Sequence, residues 1–136
     1  MIVVKPIQGK TLRCSTRIHA VVTDRKGEDG GSDAGCTSGE LLLMAMGSCA
    51  MGSLRNALSQ YRLSPDEIAI EVELMPTDPP ADRDAIRITV RLADRALAAG
   101  SDAIARAATS GGVVSRIRLG STVQVRTEPL QRLSEA

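Results

Sequence analysis

The fold is decided by the stretch TSGELLLMAMGSCAMGSLRNALSQY, which runs from Thr37 to Tyr61. Thr37, followed three residues later by Glu40, forms a capping box, and no proline interrupts the rest of the stretch. These features predict one long helix. At ~1.5 Å per residue it would be roughly 37 Å long, more than the diameter of a globule of 136 residues. We therefore expect it to extend into a partner subunit.

The first half of this helix is apolar around its whole circumference. The residues from Leu41 to Met46 leave no polar face for solvent, and such a helix is normally buried inside a domain or an oligomer. One chain of this length can hardly bury it together with two sheet faces, which predicts a dimer. The stripe opposite Cys49 is predicted to pack in the core and consists of Leu43, Ala50, Leu54, Ala57, Leu58 and Tyr61.

Cys49 lies in the middle of the helix among small residues. Ala45, Gly52 and Ser53 are three to four positions away on the same face, which leaves room for a molecule to approach the sulfur. A cysteine in this position is either an inert core residue or a nucleophile, and the residues alone leave both interpretations open. Cys14 falls on the apolar face of its predicted strand and is interpreted as structural.

Composition excludes several classes of function. Lys and Arg number 17 and Asp and Glu number 16, and Tyr61 is the only aromatic residue, so we expect no nucleic-acid partner. Three cysteines without C-x-x-C spacing predict neither a disulfide framework nor a metal site. No cofactor is expected, because the Gly30-Gly31 pair has acidic neighbours that would repel a phosphate. Without an apolar run of membrane length or a signal-type N-terminus, we expect a cytoplasmic protein with no membrane partner.

The remaining pattern predicts an α+β fold in a single domain over residues 1–136, with the long helix packed on a mainly antiparallel sheet. The polar loop from Asp24 to Cys36 is expected to be a mobile connection. Before the long helix, the pattern predicts an edge strand at Ile2–Val4 and a half-buried strand at Thr11–Thr23. After it, the pattern predicts a hairpin that joins Ile68–Leu74 to Ile86–Leu92 across a loop from Met75 to Asp84. The rest of the chain is predicted to form a helix at Ser101–Thr109 with Ser101 as its N-cap, a helical turn at Val113–Leu119, a last strand at Thr122–Thr127 and a weakly ordered tail from Glu128.

Three segments resemble the OsmC/Ohr family of osmotically inducible and organic hydroperoxide resistance proteins. The residues ELLLMAMGSCAMGSLR, from Glu40 to Arg55, resemble the core motif of that family. HAVVTD at His19 to Asp24 and the following GGSDAG resemble the strand end and glycine-rich loop ahead of it. ARAATSGGVVSRI, from Ala105 to Ile117, resembles the second conserved segment. The resemblance spans most of the chain.

The resemblance implies an intertwined homodimer with two sites at its interface, each using a helix cysteine to reduce hydroperoxides. Cys49 matches the peroxidatic cysteine. An apolar rim of Leu42 and Met46, with Ser53 beside the sulfur, would receive an organic hydroperoxide. A peroxidatic cysteine must be a thiolate, so it needs a positive neighbour to offset a thiol's reference pKa of about 8.5. The family's arginine lies in the N-terminal part of the chain.

This sequence departs from the family at two positions. The resolving cysteine of a C-P-V-S-type stretch aligns with Gly112, so the chain lacks that second thiol. The glutamate that holds the arginine in hydroperoxide-resistance members aligns with Gly39, and Glu40 follows one residue on, as in many other OsmC-like proteins. Glu40 is a catalytic candidate whose alternative role is to cap the helix. The candidates for the catalytic arginine are Arg17, Arg13 and Arg25.

Three hypotheses follow. The first is a cysteine-based peroxidase of peroxiredoxin-type chemistry, acting in oxidative stress, in which an external small thiol or dithiol resolves oxidised Cys49. The second is a non-catalytic dimer that binds a small apolar or thiol-containing ligand in the same pocket. The third makes Cys49 a core residue without chemistry.

Overall fold

The computed structural model describes residues 1–75, 85–119 and 124. Within them the fold is α+β with antiparallel sheets, as predicted. The predicted strand at Thr122–Thr127 and the tail from Glu128 lie outside the described residues, apart from Gln124, as does nearly all of the predicted loop from Met75 to Asp84. The elements are β1 (Val3–Gln8), β2 (Thr11–Thr16), β3 (His19–Thr23), α1 (Ser38–Ala57), β4 (Ile68–Met75), β5 (Ala85–Leu92), α2 (Asp94–Leu97), α3 (Ser101–Thr109) and α4 (Gly112–Leu119).

The chain forms two compact units. The first includes Met1–Leu42, and the second includes the described residues that follow, from Leu43 to Leu119. The prediction of one domain over residues 1–136 stays a prediction.

The first unit contains a three-stranded antiparallel sheet in the order β1-β2-β3. Pro6 lies in β1, an edge strand of the described sheet, which is where proline is tolerated in sheets. The prediction of one strand over Thr11–Thr23 is wrong, because the chain turns between β2 and β3 and Arg17 adopts a left-handed φ of 51° there. Val22 pairs with Arg13 across the hairpin and shares its face.

Among the described residues of this unit, the buried side chains are the polar Thr23 and Asp24, and no apolar one is buried. A sheet of three strands normally needs an apolar face packed against something to be stable. Large apolar side chains of this sheet are instead exposed, among them Val4 and Ile7. The first unit therefore presents apolar surface that its own sheet does not bury.

The second unit is built on the hairpin of β4 and β5, in the predicted antiparallel pairing. Its outer face carries the predicted ion pairs, with Arg91 Nε 2.7 Å from a Glu71 carboxylate oxygen and Arg87 Nη1 3.3 Å from Glu73. The buried apolar side chains form one cluster contributed by α1, the segment after it, β4, α3 and α4, namely Met46, Ala50, Leu54, Leu58, Ile68, Ile104, Ala108 and Val114.

Two short helices follow the hairpin's last strand after the turn of α2. The bounds of α3 are those predicted, but its N-cap is Gly100, with a φ of 88°, and Ser101 is the first helical residue. The prediction of Ser101 as the N-cap is therefore wrong, because a left-handed backbone at the preceding residue favours glycine there. Gly111 separates α3 from α4, which begins at Gly112.

Candidate functional site

The capping box that was predicted at the start of α1 is present. The backbone N–H of Thr37 donates to Glu40 Oε2 at 2.8 Å, and the N–H of Glu40 donates to Thr37 Oγ1 at 3.2 Å. The bond from the Thr37 amide lowers the pKa of the Glu40 carboxyl. The helix then continues to Ala57, and Ser59–Tyr61 form a 3₁₀ turn, so α1 ends four residues earlier than predicted.

Cys49 is half-buried near the middle of α1 and is a free thiol. Ala50, which follows it, and Leu54, one turn further along the helix, are fully buried in the core of the second unit. The packed face fixes the rotation of the helix, and it leaves Cys49 at the edge between core and solvent. Cys49 is thus packed against the core and is partly exposed.

Gly111, between α3 and α4, lies directly against the Cys49 side chain. A Cβ atom on Gly111 would be 2.5 Å from Cys49 Sγ and 2.8 Å from Ser53 Oγ, both closer than real Cβ contacts allow. The sulfur and the Ser53 hydroxyl therefore face the same small volume beside the backbone of Gly111. The small residue Ser53 therefore borders the sulfur of Cys49, as its predicted position on the helix requires.

Gly112, which the sequence analysis predicts to occupy the position of the family's resolving cysteine, has different surroundings. It is exposed at the start of α4, and a Cβ atom on it would meet no atom within 4 Å. Gly52, one turn after Cys49 on α1, is exposed and equally open. Gly111 therefore lies against one side of the sulfur, whereas a Cβ atom at Gly112 or Gly52 would contact neither the sulfur nor any other neighbouring group.

The two predicted rim residues have unlike environments. Leu42 is 48% exposed, whereas Met46 is 3% exposed and belongs to the core. Met46 also lines an open cavity of about 800 Å³ in the second unit, together with residues of β5, α2, α3 and α4. Its other lining residues are mostly aliphatic, with Ser101, Thr109 and Arg118 as polar groups. A volume of this size lies within the range of small-molecule sites.

The predicted catalytic partners of Cys49 are located within the first unit. Arg17 is exposed in the turn between β2 and β3, so it is separated from Arg13, which lies within β2. Glu40 is occupied as the helix cap. Their catalytic roles stay predictions.

Sequence reasoning misses two features of the site. It assigns Gly111 no place in the site, although a pair of glycines between two helical segments permits close approach of the backbone to a neighbouring side chain. It misses the cavity because the lining comes from five separate elements, and a pattern within one segment does not show that these elements meet.

The described residues contain neither a metal-binding cluster nor a membrane-spanning helix. No cluster of three or more His, Cys, Asp or Glu side chains in residues 1–75, 85–119 and 124 could hold a metal ion. Across the same part of the chain, every helix is too short or too polar to cross a bilayer.

Comparison with known proteins gives a consistent result. The sequence model of the OsmC-like protein family matches residues 30–128. No curated protein matches the sequence. One solved structure with the same fold is that of a candidate osmotic stress induced and detoxification response protein from Psychrobacter arcticus 273-4. It is 14% identical in sequence, and the match covers 84% of this chain and 85% of that chain with a TM-score of 0.62.

Two further structures share the fold. A hypothetical protein from Aquifex aeolicus VF5 is 18% identical, over 89% of this chain and 88% of that chain, with a TM-score of 0.60. The organic hydroperoxide resistance protein OsmC from Legionella pneumophila, also described as a predicted redox protein and regulator of sulfide bond formation, is 14% identical, over 87% of this chain and 89% of that chain, with a TM-score of 0.55. At these identities the likenesses show the fold.

Proposed function

Since this chain belongs to the OsmC-like protein family, we propose that it is a redox stress protein that reduces organic hydroperoxides through Cys49 and is returned to the thiol by an external thiol. The observation that carries the proposal is the position of Cys49, half-buried on the central helix with open space beside Gly52 and Gly112. The hydroperoxide resistance of the Legionella pneumophila protein with the same fold agrees with it.

The proposed reaction begins with the Cys49 thiolate. Its sulfur attacks the distal oxygen of the hydroperoxide, the O–O bond breaks, and the alcohol leaves after taking up a proton. Sulfur loses two electrons and becomes sulfenic acid, and the peroxide gains them. Because Gly112 stands where the family has its resolving cysteine, no thiol of this chain is expected to condense with the sulfenic acid there.

Activation of the thiolate is assigned to an arginine of the N-terminal hairpin, with Arg17 as the first candidate. An arginine stays protonated at all working pH values and stabilises a neighbouring thiolate by its charge. Arg17 is exposed at the tip of its hairpin, where it can be presented to a second subunit. In this proposal the Glu40 carboxylate has two roles: it caps the helix by accepting the Thr37 N–H bond, and it orients the arginine.

We further propose that the working form is a homodimer. Leu42 and Met44 are 48% and 58% exposed on α1, and the sheet of the first unit has no buried apolar side chain among its described residues. Apolar surface of this extent on a small chain is typical of a protein–protein interface. A second copy of the chain would cover it, and the predicted sites would then be completed at the interface.

A second candidate function is a dimer that binds a small apolar ligand without turnover. The cavity of about 800 Å³ lined by Met46 and aliphatic residues of β5, α3 and α4 favours it. Peroxidase activity and ligand binding are separable, because only the first requires the sulfur of Cys49.

The test is the consumption of cumene hydroperoxide with dithiothreitol as the external thiol. Wild type should consume it in proportion to added thiol, and Cys49→Ser should not. Cys14→Ser and Cys36→Ser are matched controls, which should keep nearly the full rate because these half-buried thiols belong to the first unit. If wild type and Cys49→Ser consume the peroxide equally slowly, the peroxidase proposal fails, and the ligand-binding dimer becomes the better account.

A further inference from the structure

The Ser53 hydroxyl lies beside the Cys49 sulfur within a single chain. Both atoms face the backbone of Gly111, where a Cβ atom would be 2.5 Å from Cys49 Sγ and 2.8 Å from Ser53 Oγ. The sulfur and the hydroxyl oxygen are therefore at most about 5.3 Å apart, as expected for residues four apart on one helix. All three residues belong to the second unit, so this arrangement needs no group from another subunit.

The Ser53 hydroxyl has no other partner. Within residues 1–75, 85–119 and 124 it makes no hydrogen bond. Hydroxyls in helices often donate to a carbonyl one turn earlier, as Thr109 does to the Ala105 carbonyl at 2.9 Å. Ser53 is half-buried and makes no such bond to the Cys49 carbonyl in the described part of the chain. An unused donor therefore lies next to the sulfur.

The sulfur becomes a much better acceptor when it is ionised. A neutral thiol accepts hydrogen bonds only weakly, whereas a bond to a charged acceptor is roughly twice as strong as one between neutral groups. The Ser53 hydroxyl turns about one side-chain torsion between staggered positions, so it can rotate toward the sulfur without any movement of the helix. A hydrogen bond that is made mainly to the charged form stabilises that form.

We propose that Ser53 is a hydrogen-bond donor that stabilises the Cys49 thiolate. This inference rests on the proposed function, because the hydroperoxide reaction is what requires a thiolate. On ionisation the thiol proton passes to solvent, and the Ser53 O–H is donated to the sulfur. The sequence instead predicts that Ser53 contacts the substrate. The two roles are separable, because donation to the sulfur acts before any hydroperoxide is present.

Three substitutions isolate this hydrogen bond. Ser53→Ala removes the hydroxyl and retains a good helix former. Ser53→Thr restores a hydroxyl, and Ser59→Ala is the matched control, because it removes an exposed hydroxyl just after α1. All three leave in place the charged residues of the helices that meet at this site, namely Glu40, Arg55, Asp102, Arg106, Arg116 and Arg118. Any difference between the variants therefore does not arise from these charges.

The experiment titrates Cys49 in the full-length chain, with Cys14→Ser and Cys36→Ser removing the other two thiols. The ultraviolet absorbance of the thiolate is followed against pH, and the contribution of Tyr61, the only aromatic residue, is subtracted. Ser53→Ala should move the midpoint upward by about one pH unit, because its thiolate lacks the bond to a charged acceptor. Ser53→Thr and Ser59→Ala should keep the midpoint of the parent. An unchanged midpoint in Ser53→Ala would overturn the inference.

The pH dependence of oxidation by cumene hydroperoxide gives a second signature. Below both midpoints Ser53→Ala has about tenfold less thiolate, but a thiolate without the donor is more nucleophilic, so oxidation should slow by only about threefold. Above both midpoints the variant should be oxidised faster than the parent. Slower oxidation at every pH, with a raised KM for the hydroperoxide and an unmoved midpoint, would assign Ser53 to substrate binding and contradict the inference.

The two measurements separate this inference from the proposed function. If the midpoint moves but Cys49 consumes no hydroperoxide, the hydrogen bond is supported and the proposed function fails. If hydroperoxide is consumed through Cys49 while the midpoint is the same with and without the Ser53 hydroxyl, the proposed function stands and the inference fails.

Discussion

The Asp24 carboxylate accepts a hydrogen bond of 2.6 Å from the hydroxyl of Ser32, eight residues further along the chain. The same carboxylate accepts backbone N–H bonds from Arg25, Ser32 and Ala34 and a bond from the Thr11 hydroxyl. Asp24 is buried, and these donors satisfy its charge in place of water. The loop that was predicted to be a mobile connection is therefore tied back to the strands at Asp24.

The first prediction is that Asp24→Asn destabilises the protein in a pH-dependent way. The Ser32 hydroxyl, together with the backbone donors, holds the pKa of the Asp24 carboxyl well below its usual range. Because the folded-state pKa is the lower one, the stabilisation is fully present above about pH 4 and is lost as the pH falls further. An asparagine side chain cannot replace it, because the amide nitrogen does not accept the N–H bonds.

The measurement is the melting temperature of both proteins between neutral and acid pH. The variant should melt lower at pH 7, and the difference should shrink as the pH falls below about 4. Asp29→Asn makes the same change of charge at an exposed position in the same loop and should melt like wild type. A gap that is constant across the whole pH range would contradict the role of the ionised carboxylate.

The fold is predictable where local chemistry and burial agree. The capping box of Thr37 and Glu40 marks the start of α1, and the alternating pattern predicts β4 and β5 with their ion pairs. The prediction of one strand over Thr11–Thr23 fails because alternation continues through the turn, and nothing in the residue types marks Arg17 as left-handed. A non-glycine residue takes that conformation only when surrounding contacts impose it.

The candidate site is only partly predictable. Cys49 and the small residue Ser53 follow from helical spacing, because residues four apart share a face. The contact with Gly111 joins residues more than sixty positions apart, and no pattern within one segment reports such a contact. The resemblance to the family places the resolving position at Gly112, one residue from the glycine that contacts the sulfur. A match between sequences gives the order of residues but not which of two neighbouring glycines faces a distant side chain.

The second prediction concerns the start of α1. Thr37→Ala removes the hydroxyl that accepts the Glu40 N–H bond of 3.2 Å, and loss of such a cap costs about 1 kcal/mol of the free energy of unfolding. Urea denaturation followed by circular dichroism measures it. Thr37→Ser keeps the hydroxyl and should stay close to wild type, so equal losses in both variants would assign the effect to something other than the cap.

The third prediction is that Met44→Lys weakens the proposed dimer. Met44 is 58% exposed on α1, and a lysine there would place a charge in the apolar surface that a second copy is proposed to cover. Sedimentation velocity should show dimer for wild type and a shift to monomer for the variant. Ala98→Lys, at an exposed residue that follows α2 and lies outside this apolar surface, is the control and should remain dimeric. A wild type that is monomeric at micromolar concentration would contradict the dimer directly.

The fourth prediction is that a cysteine introduced at position 111 forms a disulfide with Cys49 more readily than one introduced at position 112. A Cβ atom at 111 would lie 2.5 Å from Cys49 Sγ, which is too close for the present position of that sulfur, so the Cys49 side chain has to shift before an S–S bond of about 2.05 Å can form. At 112 the Cβ atom would have no atom within 4 Å, the Cys49 sulfur included, so the two sulfurs start further apart. Gly111→Cys and Gly112→Cys are each oxidised under dilute conditions and analysed by non-reducing peptide mapping. The disulfide from Cys49 to position 111 should form first. Faster formation of the disulfide from position 112 would contradict the prediction, because it would show that position 112 comes closer to the Cys49 sulfur in solution.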